Sequence, residues 1–231
     1  MRPPTPVTAD DRAYDQARLV AALASPGACG AGSGRVAHLE THISHVLLTG
    51  ALAYKIKKPV NLGFLDFTSL ADRKHYCDEE LRLNRRLAPD VYLDVVAITG
   101  SVEHPRIGGD GPVLEYAVRM REFPQDALAS RMLARGALTV GHLDALVAQV
   151  ADFHDRVDRA AAGARLGTPE TALSVARQNF TQIRPLLDDR QDRAALDVLS
   201  VWTEREHAAP VIAGRLLDLR YRLSSTAAQE Y

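Results

Sequence analysis

The chain has 231 residues, of which 46% are apolar and 25% are charged, and its formal net charge is -1. These values are typical of a globular protein. The balanced charge provides no basic field for bulk nucleic-acid binding, so we expect no nucleic-acid partner. The sequence shows no apolar signal core and no membrane-length apolar run, so we expect a cytoplasmic location and no membrane partner.

The first predicted elements are one helix and three strands. Residues 10–25 predict a short helix, and residues 26–34, rich in glycine, predict a flexible linker. From Arg35 the apolar residues alternate with a period of two, which predicts short antiparallel strands. These strands lie at residues 35–40, 45–50 and 51–60.

A second helix and two further strands follow. Residues 67–89 predict a helix that Thr68 or Ser69 caps and that Pro89 ends. Two more strands are predicted at residues 92–100 and 112–123, separated by a loop at 101–111. Only helices are predicted afterwards, at residues 126–136, 141–163, 168–187 and 189–210. Strands first and helices later favour an α+β fold with two segregated halves.

The order β-β-β-α-β-β matches the N-terminal lobe of a protein kinase, with five antiparallel strands and one helix. In that lobe a lysine on the third strand pairs with nucleotide phosphates, and a glutamate on the following helix holds the lysine in place. The third predicted strand contains AYKIKKP, in which Lys55 and Lys57 share one face and Lys58 takes the other. An inward lysine is satisfied between a carboxylate and a polyphosphate, whereas alone it is costly to bury.

The predicted helix offers one glutamate for this pair. Tyr76, Glu80, Leu83 and Leu87 recur at spacings of four, three and four, which predicts a buried stripe with a single carboxylate. We therefore predict that Lys55 pairs with Glu80, and Lys57 is the alternative lysine.

Three stretches of the sequence carry a family resemblance, namely ETHISHVLLTGALAYKIKKPVNLGFLDF, CDEELRLNRRLAP and GDGPVLEYAVRMREFPQDALASRML. In this order they resemble a bacterial family related to aminoglycoside phosphotransferases. The resemblance runs from about residue 35 to about residue 205. It implies a kinase-like N-terminal lobe over residues 35–123 and a partial helical C-terminal lobe over 124–231, after an N-terminal helix and linker over 1–34. In that family the kinase-like domain is commonly followed by a P-loop ATPase domain.

The resemblance also implies ATP as the cofactor, with Mg²⁺ in the intact family, and an undefined small hydroxylated acceptor. By position, the phosphate-binding lysine and its partner are Lys55 and Glu80, and Ser44 of THIS with nearby backbone N–H groups covers the phosphates. The segment RMREF falls at the hinge between lobes, where the adenine meets the backbone. The cofactor-binding set implied by the resemblance is Lys55, Glu80, Ser44, Met120, Arg121 and Glu122.

Phosphoryl transfer needs further residues, which phosphotransferases carry in an HGDxHxxN loop and a later metal-binding aspartate. HGD occurs nowhere in this sequence. We therefore predict no catalytic residue, no metal ligand, weak or absent nucleotide binding, and a catalytically incomplete chain. Such a chain is a truncated or frameshifted product, a fragment, or a form that only binds nucleotide. Without the catalytic-loop region the C-terminal helices lose part of their apolar cover, so we expect self-association through them. The alternative function is a non-catalytic interaction module on a kinase-like scaffold.

Three histidines form the remaining candidate cluster. His38, His42 and His45 have spacings of four and three, which would suit zinc on a helix. The segment predicts strand, turn and strand, where those spacings do not converge on one face. We therefore expect no metal site there.

Overall fold

The computed structural model describes residues 9–30, 36–158, 161 and 168–208. It has the mixed α+β architecture that the sequence predicts. The strands are β1 Ala37–Glu40, β2 Ser44–Leu48, β3 Leu52–Lys57, β4 Tyr92–Gly100, β5 Pro105–Ile107 and β6 Val113–Arg121. The helices are α1 Ala9–Leu23, α2 Leu70–Asn84, α3 Ala129–Ala134, α4 Val140–Arg156, α5 Pro169–Ile183 and α6 Arg190–His207, with 3₁₀ turns at Gln125–Ala127 and Arg184–Leu186.

The strands form one antiparallel sheet in the order β1-β2-β3-β6-β4-β5. The five predicted strands are confirmed, but β5 lies inside residues 101–111, which the sequence predicts as a loop. The five-stranded sheet is therefore corrected to six strands among the described residues. Three residues are too few for a visible alternation, and β5 exists because Arg106 and Pro105 pair with the end of β4.

One face of the sheet packs against α1. The apolar side chains Leu19, Val20 and Leu23 of this helix are almost fully buried. They join a core with sheet residues that share one face by strand alternation. The sheet residues of this core are Leu47, Tyr54, Ile56, Ile98 and Ala117. Cys29, in the predicted linker, also lies in this core, and residues 31–34 of that linker fall outside the described residues.

Helix α2 lies against β4 and β6 and contacts the other face of β3. Ser69 caps it as predicted, because the Ser69 side chain accepts a hydrogen bond from the Asp72 N–H at 3.0 Å. Its buried positions are Arg73 and Cys77. The predicted apolar stripe is wrong at its end, because the helix stops at Asn84 and Leu87 is 40% exposed.

The chain divides into two compact units, residues 1–146 and 147–231, and α4 crosses the boundary. The predicted boundaries at residues 34 and 123 remain predictions. In the second unit α5 packs against α6, where the Arg177 guanidinium donates two hydrogen bonds to the Glu204 carboxylate at 2.6 and 2.7 Å. Leu196 of α6 is buried, whereas Leu199 and Trp202 are more than half exposed.

None of the helices in the described ranges is both long enough and apolar enough to cross a lipid bilayer.

Candidate functional site

The predicted lysine–glutamate pair is present on the α2 face of the sheet. Lys55 Nζ lies 2.7 Å from Glu80 Oε1, which confirms the predicted pairing. Lys57 Nζ lies 2.7 Å from Glu80 Oε2, so the alternative lysine binds the same carboxylate through its other oxygen. Strand alternation puts both lysines on one face of β3, and Glu80 faces them from the third turn of α2. Two ammonium groups therefore share one carboxylate, which leaves this cluster with a net positive charge.

The two lysines differ in their access to water. The Lys55 side chain is 27% exposed, whereas that of Lys57 is 6% exposed. Lys57 Nζ also lies 5.0 Å from the centroid of the Phe67 ring, a distance at which a cation is attracted to the ring face. Lys57 is thus held between a carboxylate and an aromatic ring, while Lys55 retains surface for a further partner.

The charges of the lysines keep Glu80 ionised. Burial by itself raises the pKa of this carboxyl, but the charges and hydrogen bonds of Lys55 and Lys57 outweigh burial and hold the pKa below its ordinary value. Burial also raises the pKa of the Tyr92 hydroxyl, and the negative charge of Glu80 adds to that effect. The thiol of Cys77, one turn before Glu80, has its pKa raised to about 12 by burial and stays neutral.

Lys58 points to the other side of the strand, as predicted. Its Nζ lies 2.6 Å from Glu40 Oε1 and 2.6 Å from the Thr41 carbonyl oxygen. Lys58 therefore binds the β1–β2 hairpin and is not part of the Lys55 cluster.

A small pocket occupies the same sheet face as Lys55. Its volume is about 160 Å³. The floor comes from strand residues that share that face, because Val46 pairs with Lys55 across β2 and β3, and Ala53 precedes Lys55 by two. Around the floor lie apolar side chains from β1, β2 and the chain before β4, namely Leu39, Leu48 and Val91. The pocket is smaller than the ~300–1,000 Å³ typical of sites for drug-sized ligands, so it has room for no more than a small group such as a single ring system.

The end of β6 and the residues directly after it form one wall of the pocket. Met120, Arg121 and Glu122, predicted from the resemblance as hinge residues, all line it together with Phe123. The Arg121 N–H donates to the Val91 carbonyl at 2.8 Å, and the Glu122 N–H donates to the Ala51 carbonyl at 3.0 Å. Within the described residues the next N–H, that of Phe123, has no backbone partner.

Ser44 differs from the other predicted site residues. It is fully buried, and its Oγ has no hydrogen-bond partner among the residues that the structure describes. Its N–H already donates to Thr41 Oγ1 at 3.0 Å, which closes the β1–β2 turn. The described conformation therefore gives Ser44 neither an exposed hydroxyl nor a spare N–H for a phosphate.

A second buried polar cluster adjoins the lysines, and sequence reasoning missed it. Arg73 Nε lies 3.0 and 2.8 Å from the two carboxylate oxygens of Glu115, which is 2% exposed. The Gln16 amide of α1 donates to Glu115 Oε2 at 2.7 Å and to the Lys57 carbonyl at 2.9 Å. The sequence does contain a signal for this cluster, because Glu115 is a charged residue within the apolar strand VLEYAV. This cluster ties α1, α2 and β6 together at the end of β3 that carries Lys57.

The expectation that the histidines do not converge is wrong for two of the three. His38 Nε2 lies 3.0 Å from His45 Nδ1, although His42 sits in the turn outside this contact. The strand, turn and strand were predicted, but the register that joins them was not. The β1–β2 hairpin pairs Glu40 with His45, and His38, two residues before Glu40, comes to the same face. Burial lowers the pKa of His45, and the positive charge of Lys58 lowers it further.

Comparison with known proteins identifies uncharacterized mycobacterial relatives. The chain is 36% identical over 120 residues to the uncharacterized protein Rv2004c of Mycobacterium tuberculosis and to the uncharacterized protein Mb2027c of Mycobacterium bovis. The match covers 52% of this chain and 22% of the relatives, so the chain spans well under half of their length. No protein-family model matches the chain. No solved structure matches it.

Proposed function

We propose that this chain binds ATP through the α2 face of its sheet, as the nucleotide-binding part of a kinase-like, aminoglycoside-phosphotransferase-like protein. The adenine occupies the pocket beside Met120, and the phosphates meet Lys55. The observation that carries the proposal is that Lys55, half of a lysine pair on one buried carboxylate, shares its sheet face with a ring-sized pocket. Mg²⁺ accompanies the phosphates, and a small hydroxylated molecule is the acceptor in the longer proteins of this kind.

The charge of the lysine cluster supports an anionic ligand. Glu80 offers one negative charge to two ammonium groups, and the neighbouring Arg73–Glu115 pair is balanced in itself. One positive charge is left, and Lys55 is the group with exposed surface to present it. A phosphate oxygen on Lys55 completes the neutralisation through a charge-assisted hydrogen bond.

The distance between the pocket and the lysine supports a nucleotide over a simple anion. Ala53 in the pocket floor and Lys55 are two residues apart on β3, so their side chains stand roughly 7 Å apart along the strand. A base held over Ala53 therefore places a flexible ribose and phosphate chain within reach of Lys55. The Phe123 N–H can satisfy an edge nitrogen of the base, because it has no backbone partner in the described part of the chain.

The proposal assigns Lys55 and Lys57 different roles. Lys55 binds phosphate, and Lys57 fixes Glu80 from the buried side. Ser44 is left out of the proposed contacts because its hydroxyl is buried and its N–H is used within the turn. Transfer of the γ-phosphate is not assigned to the 231 residues, since their sequence contains no HGDxHxxN motif.

The test is a titration of fluorescent ATP against the wild type, Lys55→Met and the matched control Lys58→Met. A charge-assisted contact contributes on the order of 1.5–3 kcal/mol, so Lys55→Met should weaken binding by about tenfold or more. Lys58→Met should leave the affinity unchanged, because Lys58 bonds to Glu40 on the other face. Equal affinities for the wild type and Lys55→Met refute the assignment.

A third variant separates the base pocket from the phosphate site. Ala53→Leu fills the pocket, so it should weaken ATP and leave the affinity for inorganic tripolyphosphate unchanged. Lys55→Met should weaken both ligands. Circular dichroism checks that the larger side chain, whose overpacking costs about 1–3 kcal/mol, has not unfolded the sheet. If Ala53→Leu weakens tripolyphosphate as much as ATP, the base is not in this pocket.

One observation favours the second candidate, a non-catalytic interaction module. Helix α6 exposes four apolar side chains, each more than half accessible, and exposed apolar patches of this kind promote association. They are Val198, Leu199, Val201 and Trp202. If the chain self-associates through α6, light scattering will show a mass that rises with concentration and falls to that of a monomer in Trp202→Glu. A monomer at all concentrations removes self-association from the proposal.

A further inference from the structure

The face of the β1–β2 hairpin that carries His45 gathers three potential metal ligands. Ligand atoms of His38, Glu40 and His45 all lie within 4.8 Å of one another. This is the one group of three such side chains that converges in the ranges the structure describes. It is separate from the lysine cluster, because Lys55 and Lys57 lie on the opposite face of the sheet.

Strand pairing fixes this arrangement. Glu40 lies directly opposite His45 in the antiparallel register, and His38 precedes Glu40 by two on the same face. Side chains directly opposite each other stand about 4.5–5.5 Å apart at Cβ, and diagonal neighbours remain within reach of long side chains. The backbone of the hairpin therefore positions all three ligands before any ion binds.

The donor set fits zinc. Two imidazoles and one carboxylate are the ligands of open Zn²⁺ sites, which keep a fourth position for water. Zinc bonds of about 2.0–2.2 Å put neighbouring ligand atoms roughly 3.4 Å apart in a tetrahedron. The two histidine nitrogens, at 3.0 Å, need to separate slightly, and the exposed Glu40 carboxylate needs to move inward by roughly 1 Å.

Lys58 can orient the carboxylate without displacing the ion. Its Nζ binds Glu40 Oε1 at 2.6 Å, which leaves the second oxygen for the metal. Ligating carboxylates are commonly held by such a hydrogen bond from a neighbouring group. The two nitrogens that face each other are His38 Nε2 and His45 Nδ1. Both can bind a metal when the ring protons are on the opposite nitrogens, His38 Nδ1 and His45 Nε2.

We propose that His38, Glu40 and His45 form a Zn²⁺ site that joins β1, the edge strand of the sheet, to β2. The site is independent of the nucleotide proposal. Bound zinc crosslinks an edge strand whose residues are otherwise exposed, so it should slow hydrogen exchange of the β1 amides. The occupant is the ion with one or more waters in the positions left open.

The experiment measures Zn²⁺ binding to metal-free chain by competition with a chromophoric zinc chelator. We expect one Zn²⁺ per chain, and a loss of affinity of more than about tenfold in His38→Ala and in Glu40→Gln, since even partners of ligands typically contribute 10–100-fold. His42→Ala is the matched control, because this histidine lies in the turn between β1 and β2, outside the cluster. Its affinity should equal that of the wild type.

His38 and Glu40 are the variants that decide the test, because both side chains are exposed and their replacement should preserve the fold, whereas His45 is buried. Co²⁺ provides a second readout, since its visible absorption reports tetrahedral nitrogen and oxygen ligands. A wild type that binds no Zn²⁺, or one that binds it equally after His38→Ala and Glu40→Gln, overturns the proposal. So does an equal loss in His42→Ala, which indicates a site elsewhere in the turn.

Discussion

Replacing Glu80 by glutamine should destabilise the sheet far more than its conservative chemistry suggests. The carboxylate accepts a 2.7 Å hydrogen bond from each of Lys55 and Lys57. A glutamine keeps one acceptor oxygen but turns an NH₂ donor toward the second lysine. Lys55 can rotate into water, whereas Lys57, at 6% exposure, is left as a buried charge without its counter-ion.

The expected loss in the free energy of unfolding is about 3–5 kcal/mol, the range for removing one partner of a buried ion pair. The control is Asp78→Asn on the same helix, whose pair with Lys74 is half exposed and should contribute only about 0.3–0.5 kcal/mol. Adding Lys57→Met to Glu80→Gln should recover most of the loss, because the double variant no longer buries a charge.

Native-state hydrogen exchange of the β3 and β6 amides measures this quantity in the unit that contains the site, without signal from α5 and α6. The reasoning is refuted if Glu80→Gln and Asp78→Asn cost the same. It is also refuted if Lys57→Met adds a further loss to Glu80→Gln.

Three further predictions follow from the described residues. Because the folded-state pKa of Glu80 lies below its ordinary 4.5, its stabilisation is complete above that pH and is lost as the pH falls through the lowered value. The stability gap between wild type and Glu80→Gln should therefore shrink on acidification below 4.5, and a gap independent of pH in acid urea titrations contradicts this. Cys77, fully buried with its pKa raised to about 12, should resist iodoacetamide at mildly alkaline pH until the chain unfolds, and rapid labelling of native protein contradicts that burial. Gly100→Ala should lower the free energy of unfolding by about 1–3 kcal/mol more than Gly50→Ala does. Both glycines have positive φ, but an added Cβ at Gly100 would lie 2.5 Å from the His104 carbonyl oxygen, whereas at Gly50 it meets no atom. Equal melting temperatures of the two variants count against this prediction.

The pattern of the sequence was sufficient for the elements that depend on local periodicity. Strand alternation assigned Lys55 and Lys57 to one face and Lys58 to the other, and the structure confirms all three positions. Helix geometry also predicted that Glu80 faces the sheet, but it did not predict which other residues of α2 are buried. The inward line of α2 is Arg73 and Cys77, which are buried, and Glu80, which is 11% exposed. A search for apolar residues cannot find this line because two of its three members are charged.

Contacts between distant segments were beyond the reach of periodicity. The Glu115 carboxylate is satisfied by Gln16 and Arg73, which are 99 and 42 residues away in sequence, and no local pattern encodes such a meeting. The contact of His38 with His45 depends on the register of β1 and β2, which the turn length sets. Strand β5 was missed for a related reason, since three residues acquire strand geometry only by pairing with β4.

Nitrogen-15 NMR of the wild type with and without saturating ATP and Mg²⁺ tests the central claim most directly. The proposal predicts shifts at the amides of Ala53, Lys55 and Phe123, with the Phe123 amide moving most because its N–H gains an acceptor from the base. The same titration of Lys55→Met should need roughly tenfold more ATP to reach the same shifts. An unchanged spectrum, or shifts confined to residues outside the pocket and the Lys55 cluster, contradicts nucleotide binding at this face.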